Sequence, residues 1–383
     1  MVPVIRARTH DVVIVGGGLF GLVLAEQIAT RCAASVVVIE REHHLGGLCW
    51  SKRDAHTGVE YNPYGTHVVA TSDPRVWGWI TSRVRMVVYE HTVHAAVAGQ
   101  LVPLPLGLEA IEAAYGRKLS PDQARATVEA DAAPYRDGPV DSVRDLALAQ
   151  VGTRLYETFV RGYVSAQWGT DPAQLSPEVF ADRFGISFTP SRGYHPGARW
   201  QGLPCGSYSA LIDPLADHSR IEVHLGRDYL RPPRPRYQRL MVVTTPIDAH
   251  FGHQLGPLQR RSLHVDWRLV DAEQAQRASV VTYPDGTSPH YRSHAPALLP
   301  WNHGQEKTGS VLVGFESAGP GPHQIDFVLR SPPNTELAAK YGQLATARSD
   351  VLLAGRGTTF YDDMSTTIGH ALALADRLVP DLT

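Results

Sequence analysis

Asp11-Val-Val-Ile-Val-Gly-Gly-Gly-Leu-Phe-Gly-Leu22 decides the fold. The apolar run at residues 12–15 reads as a buried parallel strand, and Gly16, Gly18 and Gly21 follow it in the GxGxxG spacing. Leu19 then opens a helix predicted to run through Ile28. Gly16 permits the tight turn, Gly18 lets backbone N–H groups approach a pyrophosphate, and Gly21 lets helix and strand pack closely. The start of the helix faces the phosphates.

Working outward, a second apolar strand at residues 35–39 ends in Glu40. That places an acid about 20 residues past the turn, where a carboxylate accepts a hydrogen bond from a ribose hydroxyl. Strand, helix, strand and acid complete a βαβ dinucleotide unit. The next stretch, Arg41-Glu-His-His-Leu-Gly46-Gly47, adds a second glycine pair, a feature of FAD-type rather than NAD-type Rossmann domains, so FAD is the expected cofactor.

At 383 residues the chain is long enough for two or three packed units. Hydrophobic residues at 43% and charged residues at 19% exclude a wholly disordered chain. A formal net charge of −2 gives no sign of a nucleic-acid-binding or polybasic membrane protein. Cys32, Cys49 and Cys205 lack metal-ligand spacing and read as reduced thiols of a cytoplasmic protein. No signal peptide or apolar run of membrane-spanning length is visible.

Downstream, residues 67–69 are predicted as a short buried strand, with His67 able to face a ligand. Asp73 and Pro74 start a helix, residues 87–102 form a hairpin, Ser120 opens a helix with a capping box, and residues 141–163 form one long amphipathic helix. Short strands resume after Arg199, and residues 351–353 are a buried strand returning to the first sheet, followed by a closing helix from Met364. The expected fold class is α/β: an FAD-type Rossmann domain with an inserted helical domain and a mixed or antiparallel sheet domain. The boundaries are 1–85 with 197–245 and 340–383 for the Rossmann part, 103–185 for the helical part, and 86–102 with 246–339 for the sheet part.

Taken together, the motifs resemble the UDP-galactopyranose mutase family along nearly the whole chain. They are GGGLFG at Gly16, GG at Gly46, YGTH at Tyr64, LVPLP at Leu101, RGYVSAQWG at Arg161, RWQGLP at Arg199, TTPID at Thr244, RRSL at Arg260 and GRGTTFYDDM at Gly355. The resemblance implies an isomerase that interconverts pyranose and furanose forms of a nucleotide-linked hexose. In that family reduced FAD supplies the nucleophile and the protein supplies positioning and charge. It allows a homodimer.

By position, the resemblance carries Arg261, Arg292 and His67 over as catalytic residues. Phe159, Tyr163, Trp168, Tyr194 and Tyr361 fall on substrate-binding positions, and Gly16, Gly18, Gly21, Glu40, Gly46, Gly47, Arg356 and Asp363 on cofactor-binding ones. No metal ligands are assigned among the 18 histidines and the carboxylates.

Several family positions are altered. Leu48 stands for an asparagine, Ala70 for a second histidine, Ser187 for an arginine and Thr245 for a glycine. The paired tyrosines of the family align with Asp326-Phe-Val-Leu, and its Arg-x-x-Glu-His-Lys segment becomes Arg292-Ser-His-Ala-Pro. These changes gather at the flavin ring and the sugar diphosphate, which implies a sugar or base other than those of UDP-galactose, such as a GDP-sugar. Three further readings compete: a flavin-independent mutase assisted by a divalent ion on the diphosphate, an amine-oxidase or desaturase-type flavin oxidoreductase, and a non-catalytic nucleotide-sugar binding protein.

Overall fold

The glycine turn lies between the strand His10–Val15 and the helix Leu19–Arg31, as the sequence predicts. The structure, a computed structural model, describes residues 9–180, 185–286, 288–302, 309–346, 350–358 and 362–383. Five parallel strands form the first sheet, in the spatial order Ile221–His224, Val36–Ile39, His10–Val15, Tyr237–Val243, Val351–Leu353. The apolar runs of the three central strands are buried on both faces, which is what a parallel sheet covered by helices requires. The helix Leu19–Arg31 packs between this sheet and the closing helix Met364–Leu382, with Leu22, Ile28, Ile368 and Leu372 in the shared core.

The second sheet has seven strands, in the order Ile325–Val328, Arg260–Asp271, Ser310–Ala318, Arg292–His294, Val280–Thr282, Val93–Val97, Gln100–Leu104. Every neighbouring pair is antiparallel except Val280–Thr282 with Val93–Val97. Met86–Val88, expected in this sheet, pairs instead with Trp200–Pro204, whose other neighbour is Val69–Thr71. The expected boundary between residues 339 and 340 falls inside a single helix, Pro332–Ala345, because Tyr341 and Leu337 pack together against Ile247 and Leu258.

The helical unit has its own core of Ile111, Val128, Val151, Leu155 and Phe159. Ser120 caps Pro121–Ala132 through a capping box with Gln123. The predicted long helix at 141–163 is broken. Val143–Leu155 is interrupted at Gly152 (φ 76°), a π-turn covers Tyr156–Val160, and Arg161–Trp168 forms a separate helix. The break has a local cause: a Cβ on Gly152 would lie 2.8 Å from the Asp131 side chain, whose carboxylate accepts the Arg154 N–H and the Tyr115 hydroxyl.

Candidate active site

The cradle for the adenosine end is made of backbone. A Cβ on Gly21 would sit 2.0 Å from the Gly16 carbonyl oxygen, so the helix approaches the strand at a distance only glycine allows. Gly16 has φ 108°, and the Thr244 hydroxyl fills the space beside it while donating to the Val15 carbonyl at 2.7 Å. The second glycine pair comes back to the first: Gly46 N–H donates to the Gly17 carbonyl at 2.8 Å, and Gly18 and Gly46 form a parallel bridge. A Cβ on Gly47 would press within 3.1 Å of the Gly18 Cα. Glu40 accepts N–H bonds from Gly17 at 2.7 Å and Glu42 at 2.8 Å, one on each oxygen. A carboxylate has about four acceptor positions, so room remains for ribose hydroxyls.

The helix that begins here has no side-chain cap at Gly18 and no acid in its first turn. Its leading N–H groups and its positive dipole end are therefore available to an anion. These residues fit a dinucleotide pyrophosphate.

The other end of the site is built on one face of the seven-stranded sheet. Residues directly opposite in a ladder share a face, as do every second residues of a strand. Arg261 faces Phe327, Val265 faces Glu316, and Glu316 faces Arg292, so Phe327, Arg261, Glu316, Arg292 and His294 all project to the same side. The helix Arg161–Trp168 packs against the strand that carries Glu316. It brings Tyr163 and Trp168, the latter 6.3 Å from the Phe327 ring.

Arg261 lies flat on Gly169, the left-handed cap of that helix. A Cβ there would come within 2.5 Å of the guanidinium carbon, which explains the glycine of Gln167-Trp168-Gly169. Arg261 Nη2 reaches the Ala166 carbonyl at 3.5 Å. Its position is set from behind: Arg260 pairs with both oxygens of the fully buried Asp248, which also accepts the Leu258 N–H at 2.9 Å. The TTPID and RRSL segments are thus two halves of one contact. Burial pushes the Asp248 carboxyl up, but Arg260 and the Leu258 N–H outweigh it and hold the group below its ordinary value.

Arg292 donates to the Tyr163 hydroxyl and sits 3.4 Å from Glu316. Glu316 is 5% exposed; burial alone pushes its carboxyl up, yet Arg292 and the bond from His294 hold it down to about 2. His294 Nε2 lies 3.2 Å from Glu316, and its Nδ1 accepts the Thr66 N–H at 3.3 Å. His67 Nδ1 donates to the Gly65 carbonyl at 2.8 Å, so its Nε2 carries no proton. Burial lowers the His67 pKa to about 4, leaving it neutral at pH 7. The positive field of Arg356 reaches His67 and Cys49, and its guanidinium carbon is 5.4 Å from the Phe327 ring centroid.

The structure thus brings Arg261, Arg292, Tyr163, Trp168, Arg356 and His67 together, and puts the Tyr194 phenol within electrostatic reach of Arg292. Phe159, expected to stack on a base, is instead 7% exposed and enclosed in the helical core. Asp363, expected at the cofactor, caps the helix Met364–Leu382 by accepting the Thr366 N–H at 2.7 Å. Tyr361 lies outside the described residues. Ser187 bonds the Thr189 hydroxyl at 2.9 Å beside Arg125 and Phe188, on the helical unit rather than over the sheet face. Among the described residues, no three His, Cys, Asp or Glu side chains gather as metal ligands, and no helix is long and apolar enough to cross a membrane.

Sequence reasoning missed Glu316, His294 and Phe327. Glu316 carried a signal: it is the acid in the largely apolar strand Ser310–Ala318, whose Leu312 and Val313 are buried. An acid on a buried face demands a partner.

The parallel sheet, the double glycine turn and the inserted helical unit define a Rossmann protein of the flavoprotein type. A family model described as NAD(P)-binding Rossmann-like domain matches residues 14–82, and one described as UDP-galactopyranose mutase matches residues 158–361. The chain is 31% identical over 375 residues to a probable UDP-galactopyranose mutase of Klebsiella pneumoniae, covering 97% of this chain and 95% of that one. It is 28% identical over 379 residues to a dTDP-fucopyranose mutase of Escherichia coli, covering 97% and 98%. Its fold matches a crystal structure of reduced UDP-galactopyranose mutase with a TM-score of 0.77 at 15% identity, covering 98% and 96%. The chain belongs to the UDP-galactopyranose mutase family, whose members named here are pyranose mutases, a class of isomerases.

Proposed function

We propose that this chain interconverts the pyranose and furanose forms of a hexose linked to a nucleoside diphosphate, with FAD in the glycine cradle and the sugar diphosphate over the sheet face. One observation carries the reading. Trp168 Nε1, Arg261 Nε and Arg292 Nε are buried donors with no partner among the described residues, and all three belong to the cluster on that face. An unpaired buried donor costs roughly 1–3 kcal/mol, so three in one place describe a surface that lacks its ligand oxygens.

Gly16, Gly18, Gly46, Gly47 and Glu40 would hold the adenosine diphosphate half, with Arg356, Cys49 and His67 towards the ring. Reduced flavin would supply the nucleophile for exchange at the anomeric carbon. The chain's own residues do the rest. Arg261, with no acid within ion-pair distance among the described residues, holds the departing diphosphate by its guanidinium fork. Neutral His67 offers an unprotonated Nε2 to a hydroxyl proton. Trp168 and Phe327 wall the sugar and exclude water.

The sugar differs from UDP-galactose in hexose or base. Phe327 presents a ring without a hydroxyl, and the Thr245 hydroxyl is buried without a partner at the end of Tyr237–Val243, where a glycine would leave space. Purified protein reconstituted with FAD, reduced, and incubated with UDP-galactopyranose, dTDP-fucopyranose and a GDP-hexopyranose tests this. Formation of a furanose nucleotide from the dTDP or GDP sugar faster than from the UDP sugar is expected. A preference for UDP-galactopyranose overturns the specificity, and no furanose from any of the three overturns the activity.

A further inference from the structure

We propose that Glu316 is a positioning residue that ties the substrate side of the site to the cofactor side, holding Arg292 on Tyr163 with one hand and the His67 turn, through His294, with the other. The inference rests on the mutase reading for its kinetic consequences and on geometry alone for the connection.

The chain of contacts is continuous. Arg292 Nη2 donates to the Tyr163 hydroxyl on the inserted helical unit. Arg292 Nη1 lies 3.4 Å from Glu316 Oε2, and His294 Nε2 lies 3.2 Å from the same oxygen. On its far side, His294 Nδ1 takes the Thr66 N–H at 3.3 Å and meets the Thr66 hydroxyl at 3.1 Å. The imidazole packs on Gly65, where a Cβ would come within 3.2 Å of Nε2. The Gly65 carbonyl in turn holds His67 Nδ1 at 2.8 Å. Three units of the fold are linked through one carboxylate: the sheet directly, by Arg292 and His294, and through these two the helical insert at Tyr163 and the turn that leads into Val69–Thr71 at Thr66.

The chemistry requires an ionised acid at this point. An N–H donor into Nδ1 fixes the His294 proton on Nε2, aimed at Glu316. Arg292 Nη1 forms an ion pair with the same oxygen. A carboxylate serves both at Oε2; a glutamine carbonyl in that place is an uncharged, weaker acceptor that shifts the His294 bond and leaves Arg292 without a counter-charge, and an aspartate is a methylene short. Among the described residues, Glu316 is the carboxylate at ion-pair distance from Arg292, so it is its counter-ion. This separates the two arginines. Arg292 has its charge balanced and serves orientation, whereas Arg261 keeps its charge for the diphosphate.

The test compares wild type, Glu316→Gln and Glu316→Asp as FAD-loaded full-length proteins, with histidine 15N NMR, nucleotide titration and steady-state turnover. In the wild type His294 gives a slowly exchanging Nε2–H resonance, assigned by its absence in His294→Asn. Glu316→Gln removes or shifts it, a readout that needs no turnover. With UDP, dTDP and GDP as titrated probes, the best-bound nucleotide keeps its affinity within about threefold, because the Arg261 charge is intact, while kcat falls about 100-fold from lost alignment. Glu316→Asp recovers part of kcat. An unchanged His294 resonance, unchanged kcat, or loss of nucleotide affinity, melting temperature and kcat in step overturns the proposal. A wild type that converts none of the sugars refutes the mutase reading instead, and the NMR arm still decides whether Glu316 holds His294.

Discussion

The two ends of the site are built from different materials. The adenosine end is backbone: two glycine turns paired to each other, an uncapped helix start, and one carboxylate closing the loop. The sugar end is side chains from at least five distant segments, meeting on a sheet face over buried charges. A backbone cradle depends on what residues lack, and any dinucleotide can use it. A side-chain rack depends on which partners face each other, and it can be retuned without disturbing the cradle.

If that division is right, the largest effect belongs to Arg261→Ala. It is expected to lower kcat/KM about 1000-fold, or about 4 kcal/mol at 1.4 kcal/mol per decade, while FAD binding and melting temperature stay near wild type. Steady-state kinetics alongside a visible flavin spectrum checks it, and a parallel loss of flavin would merge the two ends into one. Gly21→Ala attacks the cradle instead. Its Cβ would meet the Gly16 oxygen at 2.0 Å, so about 3 kcal/mol of stability should go, with flavin affinity, in a urea titration.

Acid separates the ends further, since ionisable groups crowd only one of them. Burial lowers His91 to about 3 and His67 to about 4, against an ordinary value of 6.5. The unfolded chain therefore binds more protons than the folded one between pH 6.5 and those values. The stability is whole above pH 6.5 and is lost as pH falls towards 4, about 3 kcal/mol for His91. Urea midpoints at pH 7, 5.5 and 4 should decline in the wild type and decline less in His91→Gln. The smallest effect marks the outside of the site. Ser120→Ala removes the cap of Pro121–Ala132 and should cost about 1 kcal/mol with turnover unchanged.

The same division decides what could be read from the sequence. Gly16, Gly18, Gly21 and Glu40 are local in the chain, so spacing alone exposes them, and the strand at Val351–Leu353 joins the sheet as its apolar run implies. The rack is non-local. Arg292 is singled out in the sequence only by the family resemblance, and nothing there shows that Glu316, in another strand, stands opposite it. Phe159 and Trp168 share an aromatic character in the sequence. The break at Gly152 and the π-turn after it set their directions, which put one into the core and leave the other over the sheet. Asp363, expected at the cofactor, caps the closing helix in the structure, and a helix cap and a ligand contact ask for the same residue type.

The pairing of Arg292 opposite Glu316 also bears on how the chain reaches its fold. A slip of one residue between Arg292–His294 and Ser310–Ala318 would send Arg292 and His294 to the opposite face and strand Glu316 among apolar neighbours without a counter-charge. Misaligned sheets are thereby penalised before any substrate is met. The residues proposed to serve the reaction would also proofread the assembly of the surface that carries them.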